Sequence, residues 1–325
     1  MRSPSLLCLF VLFVAACAFP DDTMTSTLLV GNSRIDVTVA DGELHASKED
    51  VIKWVQWAAE SVAGYYGRFP VPHVALRIIP TSGSGVRGGR TWGDHGSHIS
   101  IHVGSDTTWP DFANDWMLTH EMIHLSFPSV ADDHHWIEEG IAVYVEPIAR
   151  VRAHHLDVNQ MWFEVMRDLP KGLPQAGDEG LDRTHTWGRT YWGGALFCFL
   201  ADIEIHQKTE NRKGLQDALR VILDAGGDIR EDWDLEKALS IGDQATGVAV
   251  LKPLYEKMKD QPSPVDLPAI WTQLGIVRDG DTVKFIDPAP LAKTRDAMTY
   301  GSAAPAAKPS AALENLTIFA GRTTR

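Results

Sequence analysis

Apolar residues recur along the chain with two different periods, and the change from one to the other organises it. Between residues 27 and 45 they alternate weakly, at Leu29, Ile35, Val37 and Val39, around the turn residues Asn32 and Asp41-Gly42. That spacing predicts short strands. From Ser47 to Tyr66 the period lengthens to a helical one, with Val51, Trp54, Val55, Ala58 and Val62 on one face and a capping-box start at Ser47-Lys48-Glu49-Asp50. Val74 to Ile79 is a β-rich run that Pro80 is expected to end, and His98 to Val103 alternates strictly, which predicts another strand. Between them lies a stretch with Gly83, Gly85, Gly88, Gly89, Gly93 and Gly96. Helical periods dominate from residue 111 to 260. Asp279-Gly280, set between Ile276-Val277 and Val283-Phe285, predicts a hairpin. Strands first and helices after is the order of an α+β fold.

The ends of the chain carry other signals. Arg2 precedes an unbroken apolar run of 11 residues, Leu6 to Ala16. This has signal-peptide length and is too short to span a bilayer, so residues 1–17 are expected to direct export. Val14-Ala15-Ala16-Cys17 resembles the lipobox of bacterial lipoproteins, which implies membrane attachment through a lipidated Cys17; simple cleavage near Ala16 or Ala18 is the alternative. A periplasmic or membrane-anchored bacterial protein is expected. Residues 301–312, rich in Ala, Ser and Pro, predict that 301–325 form a flexible tail. The expected organisation is one domain over 25–275, sheet-bearing to about residue 110 and helical beyond, with a small hairpin appendage over 276–300.

Composition narrows the function classes. Hydrophobic residues at 44% and charged ones at 22% are ordinary globular values, so a sizeable core is available. The formal charge is −13, and no basic stripe with interleaved aromatics occurs, which argues against a nucleic-acid partner. Beyond Cys17 the only cysteine is Cys198, so no intrachain disulfide can staple the folded body.

The chemistry is concentrated in His120-Glu121-Met122-Ile123-His124, an HExxH motif. Residues four apart on a helix differ by about 40° and rise about 6 Å, so both imidazoles can share one metal ion. Glu121, about 100° round, reaches the same place without being a ligand. Leu118, Met122 and Leu125 give this helix an apolar back, and Asp111 or Asn114 is positioned to cap its start. A catalytic zinc needs a third protein ligand. His134 and His135 are available but lie in a polar loop sequence, Asp132-Asp133-His134-His135. Glu139 suits better, because it projects with Ala142 and Val143 on an apolar face where an unpaired carboxylate is costly. Glu138, about 100° away, is the alternative and reads as a solvated acid. Gly140 is expected to let this second helix approach the first.

His120-Glu121-x-x-His124 followed by Trp136-Ile137-Glu138-Glu139-Gly140-Ile141-Ala142-Val143-Tyr144 resembles the gluzincin zinc metallopeptidases, the aminopeptidase-N-like and glycyl-aminopeptidase-like enzymes of the peptidase-MA-like superfamily. The connection of 14 residues between His124 and Glu139 is short, which resembles the small bacterial members. The resemblance implies a zincin, thermolysin-like catalytic domain with one Zn2+ per chain on His120, His124 and Glu139. It implies hydrolysis of a peptide or protein substrate by a metal-activated water, with Glu121 as general base. Thr190-Tyr191-Trp192-Gly193-Gly194-Ala195 resembles a family segment whose tyrosine stabilises the tetrahedral intermediate, which points to Tyr191. Arg87 to Gly93 corresponds to the edge strand that holds substrate backbone, or else is a surface loop. Glu146 is expected to orient a ligand. His95, His98 and His102 have no assigned role.

Two rival classes stand beside the peptidase: a catalytically inactive zincin-fold envelope protein that binds peptides or partner proteins, and a structural zinc site. Intact Glu121 disfavours the first, and an open fourth position the second. Relatives of the aminopeptidase type hold a substrate amine with a glutamate on the edge-strand motif. Here Gly88-Gly89-Arg90-Thr91-Trp92-Gly93-Asp94 has none, Arg90 is expected to repel an ammonium, and Asp94 lies beyond the strand. Cleavage inside peptides, or of substrates with blocked ends, is expected.

Overall fold

Leu28, Val30, Ile35, Val37 and Val39 all turn inward from a hairpin of two antiparallel strands, β1 (Thr25–Val30) and β2 (Ser33–Val39), closed by Gly31 with its positive φ of 60°. Alternation puts every second residue on the buried face, which is Leu28 and Val30 in β1 rather than Leu29. The computed structural model describes residues 24–302 and 318–319; the export signal expected at 1–17 and most of the expected tail lie outside them.

Helix α1 (Lys48–Tyr66) follows, and its start is fixed as the sequence predicts, with the Ser47 hydroxyl accepting the Asp50 N–H at 3.1 Å. Strand β3 (His73–Thr81) then pairs parallel to β2. It runs through Pro80 instead of stopping there. The Ile78 carbonyl accepts from Ala40, so residue 80 presents its nitrogen to the same side, past the end of β2, where no donor is needed. Strand β4 (Val86–Trp92) and strand β5 (His98–Gly104) form an antiparallel pair, and β5 lies parallel to β3. The sheet is completed by two residues near the far end of the chain, β8 (Ile318–Phe319), which pair with β1; its order is β4-β5-β3-β2-β1-β8, with β4 at one edge.

Helices then build the second part: α2 (Trp109–Ala113), α3 (Met117–His124), α4 (His135–Arg152), α5 (Val158–Asp168), α6 (Gly194–Lys208), α7 (Leu215–Asp224), α8 (Leu235–Thr246), α9 (Leu251–Met258) and α10 (Leu267–Leu274). One continuous core joins sheet and helices, with α3 lying against α1, α4, β4 and β5. The expected hairpin is β6 (Ile276–Asp279) and β7 (Thr282–Phe285). It is followed by α11 (Ala292–Tyr300), which the sequence pattern did not reveal. This helix packs back on the body, where the Arg152 guanidinium donates to the carbonyls of Thr299 and Met298 at 2.7 and 2.8 Å. The segment after residue 276 is thus more than a hairpin appendage. Cys198 is free and buried. Among the described residues no helix is long and apolar enough to cross a membrane.

Candidate metal centre

The helix carrying the HExxH residues is held at both faces. Leu118, Met122 and Leu125 are fully buried behind it. Its start is capped by Asp115, whose two oxygens accept from the N–H groups of Met117 and Leu118 at 3.0 and 3.1 Å while Trp54 Nε1 donates to one of them at 2.9 Å. The expected caps, Asp111 and Asn114, do not serve: α2 ends at Ala113, and Asp111 instead accepts the Thr108 N–H at the start of that earlier helix.

His120 and His124, one turn apart, bring their Nε2 atoms within 3.2 Å with the rings nearly perpendicular. Glu139 on α4 supplies an oxygen 3.2 Å from His120 Nε2 and 3.6 Å from His124 Nε2. These three residues form the one cluster of His, Cys, Asp and Glu among the described residues whose donor atoms converge as metal ligands do. Their separations match the edges of a zinc tetrahedron, about 3.3 Å for zinc–ligand bonds of ~2.0–2.1 Å. The electrostatics agree. Burial and the neighbouring His120 lower the His124 pKa to about 4, which keeps that imidazole neutral, the form that ligates. Burial opposes ionisation of Glu139, but the hydrogen bonds from His120 and His135 outweigh it and hold the carboxyl well below its usual range. Two imidazole nitrogens and a carboxylate, all nearly buried, therefore fit a zinc ion.

The acids and histidines beside Glu139 have other duties. Glu138 is not a solvated acid: it accepts from the Val130 N–H and from His135 Nδ1, each at 2.9 Å, and so ties the preceding loop to α4. His135 Nε2 lies 3.3 Å from the second Glu139 oxygen, leaving the first to face the two histidines. His134 turns away to Asp182, an acid that also accepts from Trp136 and Tyr255. Glu146 pairs with Arg150 at 2.8 Å, and among the described residues His120 Nδ1 has no hydrogen-bond partner. The expected role for Glu146 as an orienter of a ligand is thus not seen, because its i,i+4 partner takes the carboxylate.

Glu121 leaves α3 in another direction, beneath the edge strand. Its carboxylate accepts from the Thr91 hydroxyl at 2.7 Å, and the same hydroxyl lies 2.9 Å from the Glu121 carbonyl. Burial raises the Glu121 pKa, and the Thr91 bond opposes that rise. A side chain at Gly89 would meet Glu121 at 2.5 Å, so glycine there makes room for the carboxylate. Gly89 and Thr91 therefore share the face that overlooks Glu121. Arg90 alternates to the opposite face and is exposed, which corrects the expectation that it repels a substrate ammonium. His98, one of the unassigned histidines, stacks on Trp92 at 5.3 Å.

Tyr191 arrives from a wide π-helical turn, Gly188–Gly193, that runs into α6. Its ring lies nearly parallel to His120, centroids 6.5 Å apart, and burial with the charges of Glu139 and Glu121 pushes its pKa up to about 12. Gly140 explains the approach. A Cβ there would sit 2.2 Å from the Gly194 carbonyl carbon, and one at Gly194 would sit 2.0 Å from the Trp136 carbonyl oxygen. The close contact made by Gly140 is thus with the start of α6, not with α3, and it draws Tyr191 towards the site.

Thr91 and Asp115 were missed by sequence reasoning. For Thr91 a signal existed: once residues 86–92 are an edge strand above Glu121, alternation from Gly89 picks it out.

No protein-family model matches the chain, and no curated protein matches it in sequence. In three dimensions it is similar to an aminopeptidase N family protein from Idiomarina loihiensis, with a TM-score of 0.58 at 11% identity over 79% of this chain and 50% of that one. An M1 zinc metallopeptidase from Deinococcus radiodurans aligns with a TM-score of 0.48 at 15% identity, over 75% of this chain and 54% of that one. The chain thus spans about half the length of these structures. Its fold is aminopeptidase-like: mixed α and β, with an N-terminal mixed sheet and many helices.

Proposed function

We propose that the chain is a zinc-dependent peptidase of the gluzincin type, with a zincin catalytic domain that holds one zinc ion on His120, His124 and Glu139. The observation that carries this reading is the arrangement of Glu121. A buried carboxylate, bonded to an edge strand and near enough to His120 and Glu139 to feel their charges, is where a hydrolase places its general base.

Zinc, when bound, would lower the pKa of a water towards neutrality and polarise the scissile carbonyl. The remaining work belongs to side chains of this chain. Glu121 takes a proton from the attacking water and delivers it to the leaving amine. Burial favours its protonated form, which suits the second half of that task. Tyr191, with a pKa raised to about 12, keeps its proton at neutral pH and donates it in a hydrogen bond to the developing oxyanion. His135 and Glu138 hold Glu139 in place from behind. The outer edge of β4 is unpaired among the described residues and can accept an extended peptide backbone as a further strand. Because β4 turns only Gly89 and Thr91 towards Glu121, it brings no carboxylate to hold a free amine, which favours internal or N-blocked peptides.

The test is hydrolysis of a mixed peptide library by the purified protein before and after chelation. Cleavage that stops on chelation and returns with zinc supports the reading. An inert protein that nevertheless binds peptides would instead support a non-catalytic peptide-binding role.

A further inference from the structure

Six large apolar side chains are exposed among the described residues, and two of them are tryptophans: Trp116 at 48% and Trp187 at 60% exposure. Both stand in the same relation to the candidate site. Trp116 lies four residues before His120 and Trp187 four residues before Tyr191, so each indole extends the functional face of its helix by one turn. The rings touch accordingly. Trp116 meets His120 edge-on with centroids 5.6 Å apart, His120 lies 6.5 Å from Tyr191, and Tyr191 stacks on Trp187 at 5.9 Å. A row of four rings results, with the metal group and the oxyanion donor in the middle and an exposed indole at each end.

An exposed indole is a large apolar surface left in water, and it gains most by packing against another apolar or aromatic group. It can also attract a cation. At Trp187 that role is already filled, since the Lys171 ammonium lies 5.7 Å from the ring and would repel a second positive charge. Arg90, the nearest strand cation in sequence to Thr91, is on the other face of β4. The Trp187 end of the row therefore offers an aliphatic or aromatic side chain much and a cationic side chain little.

We propose, resting on the peptidase reading above, that Trp116 and Trp187 are specificity-determining residues that select peptides with large apolar, preferably aromatic, side chains next to the scissile bond. The two indoles come from different helices on either side of the His120–Tyr191 pair, so they form subsites for the residues flanking the bond. They bind side chains and take no part in proton transfer.

The experiment compares matched peptides bearing Phe, Ala or Lys beside the bond, with cleavage positions read by mass spectrometry. The expected kcat/KM for the Phe peptide exceeds that for the Ala and Lys peptides by about 10-fold, the scale of one good aromatic contact. In Trp187→Ala and Trp116→Ala the Phe-to-Ala ratio falls towards one, and in Trp187→Phe it is largely kept. Equal kcat/KM for all three peptides, or a ratio untouched by both alanine substitutions, overturns the proposal. Absence of hydrolysis of every peptide by the zinc-loaded protein counts against the peptidase reading instead. Calorimetric binding of the same peptides to Glu121→Gln protein then decides the subsites: about 10-fold tighter binding of the Phe peptide than the Ala peptide supports them, and equal binding refutes them.

Discussion

Replacing Thr91 by valine removes one hydroxyl and leaves the side-chain shape nearly unchanged, so it isolates a single hydrogen bond to the proposed base. Two effects set the Glu121 pKa. Burial raises it and is the larger; the Thr91 bond, at 2.7 Å, lowers it by favouring the carboxylate. A hydrogen bond to a charged group contributes roughly 1.5–3 kcal/mol. This hydroxyl is shared with the Glu121 carbonyl at 2.9 Å, so about half of that, roughly 0.75–1.5 kcal/mol or about one pH unit at most, is the expected loss. The sign follows directly. With burial unopposed, the pKa of Glu121 rises further, and a base that must be ionised loses activity at a higher pH than before. The acid limb of kcat/KM, which reports the free enzyme, should move up by up to about one unit from wild type to Thr91→Val. Thr91→Ser should restore it. On the plateau, where the base is ionised in both proteins, kcat/KM should fall far less than the ~100-fold expected from losing the base. The assay is initial-rate kinetics on one peptide from pH 4 to 9. An acid limb that stays in place, or moves to lower pH, would refute the assignment of Thr91 as the residue tuning Glu121.

Other outcomes can be checked alongside. Tyr191→Phe should lower kcat more than it alters KM, because the oxyanion bond forms mainly in the transition state; an unchanged kcat would leave Tyr191 a packing residue. Gly140→Ala drives a methyl to 2.2 Å from the Gly194 backbone, so it should lower stability by about 1–3 kcal/mol in denaturant titration and reduce kcat by displacing Tyr191. A peptide and its N-acetylated form should be cleaved with near-equal kcat/KM, since β4 carries no carboxylate anchor; loss of cleavage on acetylation would reveal one.

The parts of this molecule that could be read from sequence are those governed by local period. The helix over Ser47–Tyr66, the strand at His98–Val103 and the hairpin at Asp279-Gly280 each follow from spacing within a few residues. So does the pairing of His120 with His124. What was less legible depends on contacts between distant segments. Gly140 announced a close approach, but its partner, Gly194, is far along the chain. The capping role of Asp115 was hidden because α2 stops at Ala113 and a new helix begins, a boundary that periodicity alone does not mark. Glu138 read as solvated because its donors, the Val130 N–H and His135, come from a loop whose path only the fold determines. The expectation that Arg90 repels a substrate ammonium fails because alternation from Thr91 puts it on the other face of β4, which is visible only once the strand is known to overlie Glu121.

The central claim is that Glu121 acts chemically beside a zinc ion it does not ligate. Wild-type and Glu121→Gln proteins, purified together, should be compared for zinc by elemental analysis and for turnover of one library-derived peptide. The account predicts about one zinc per chain in both, with turnover at least ~100-fold lower in the variant. Turnover retained in Glu121→Gln, or a wild-type protein that hydrolyses peptides without zinc, would contradict it.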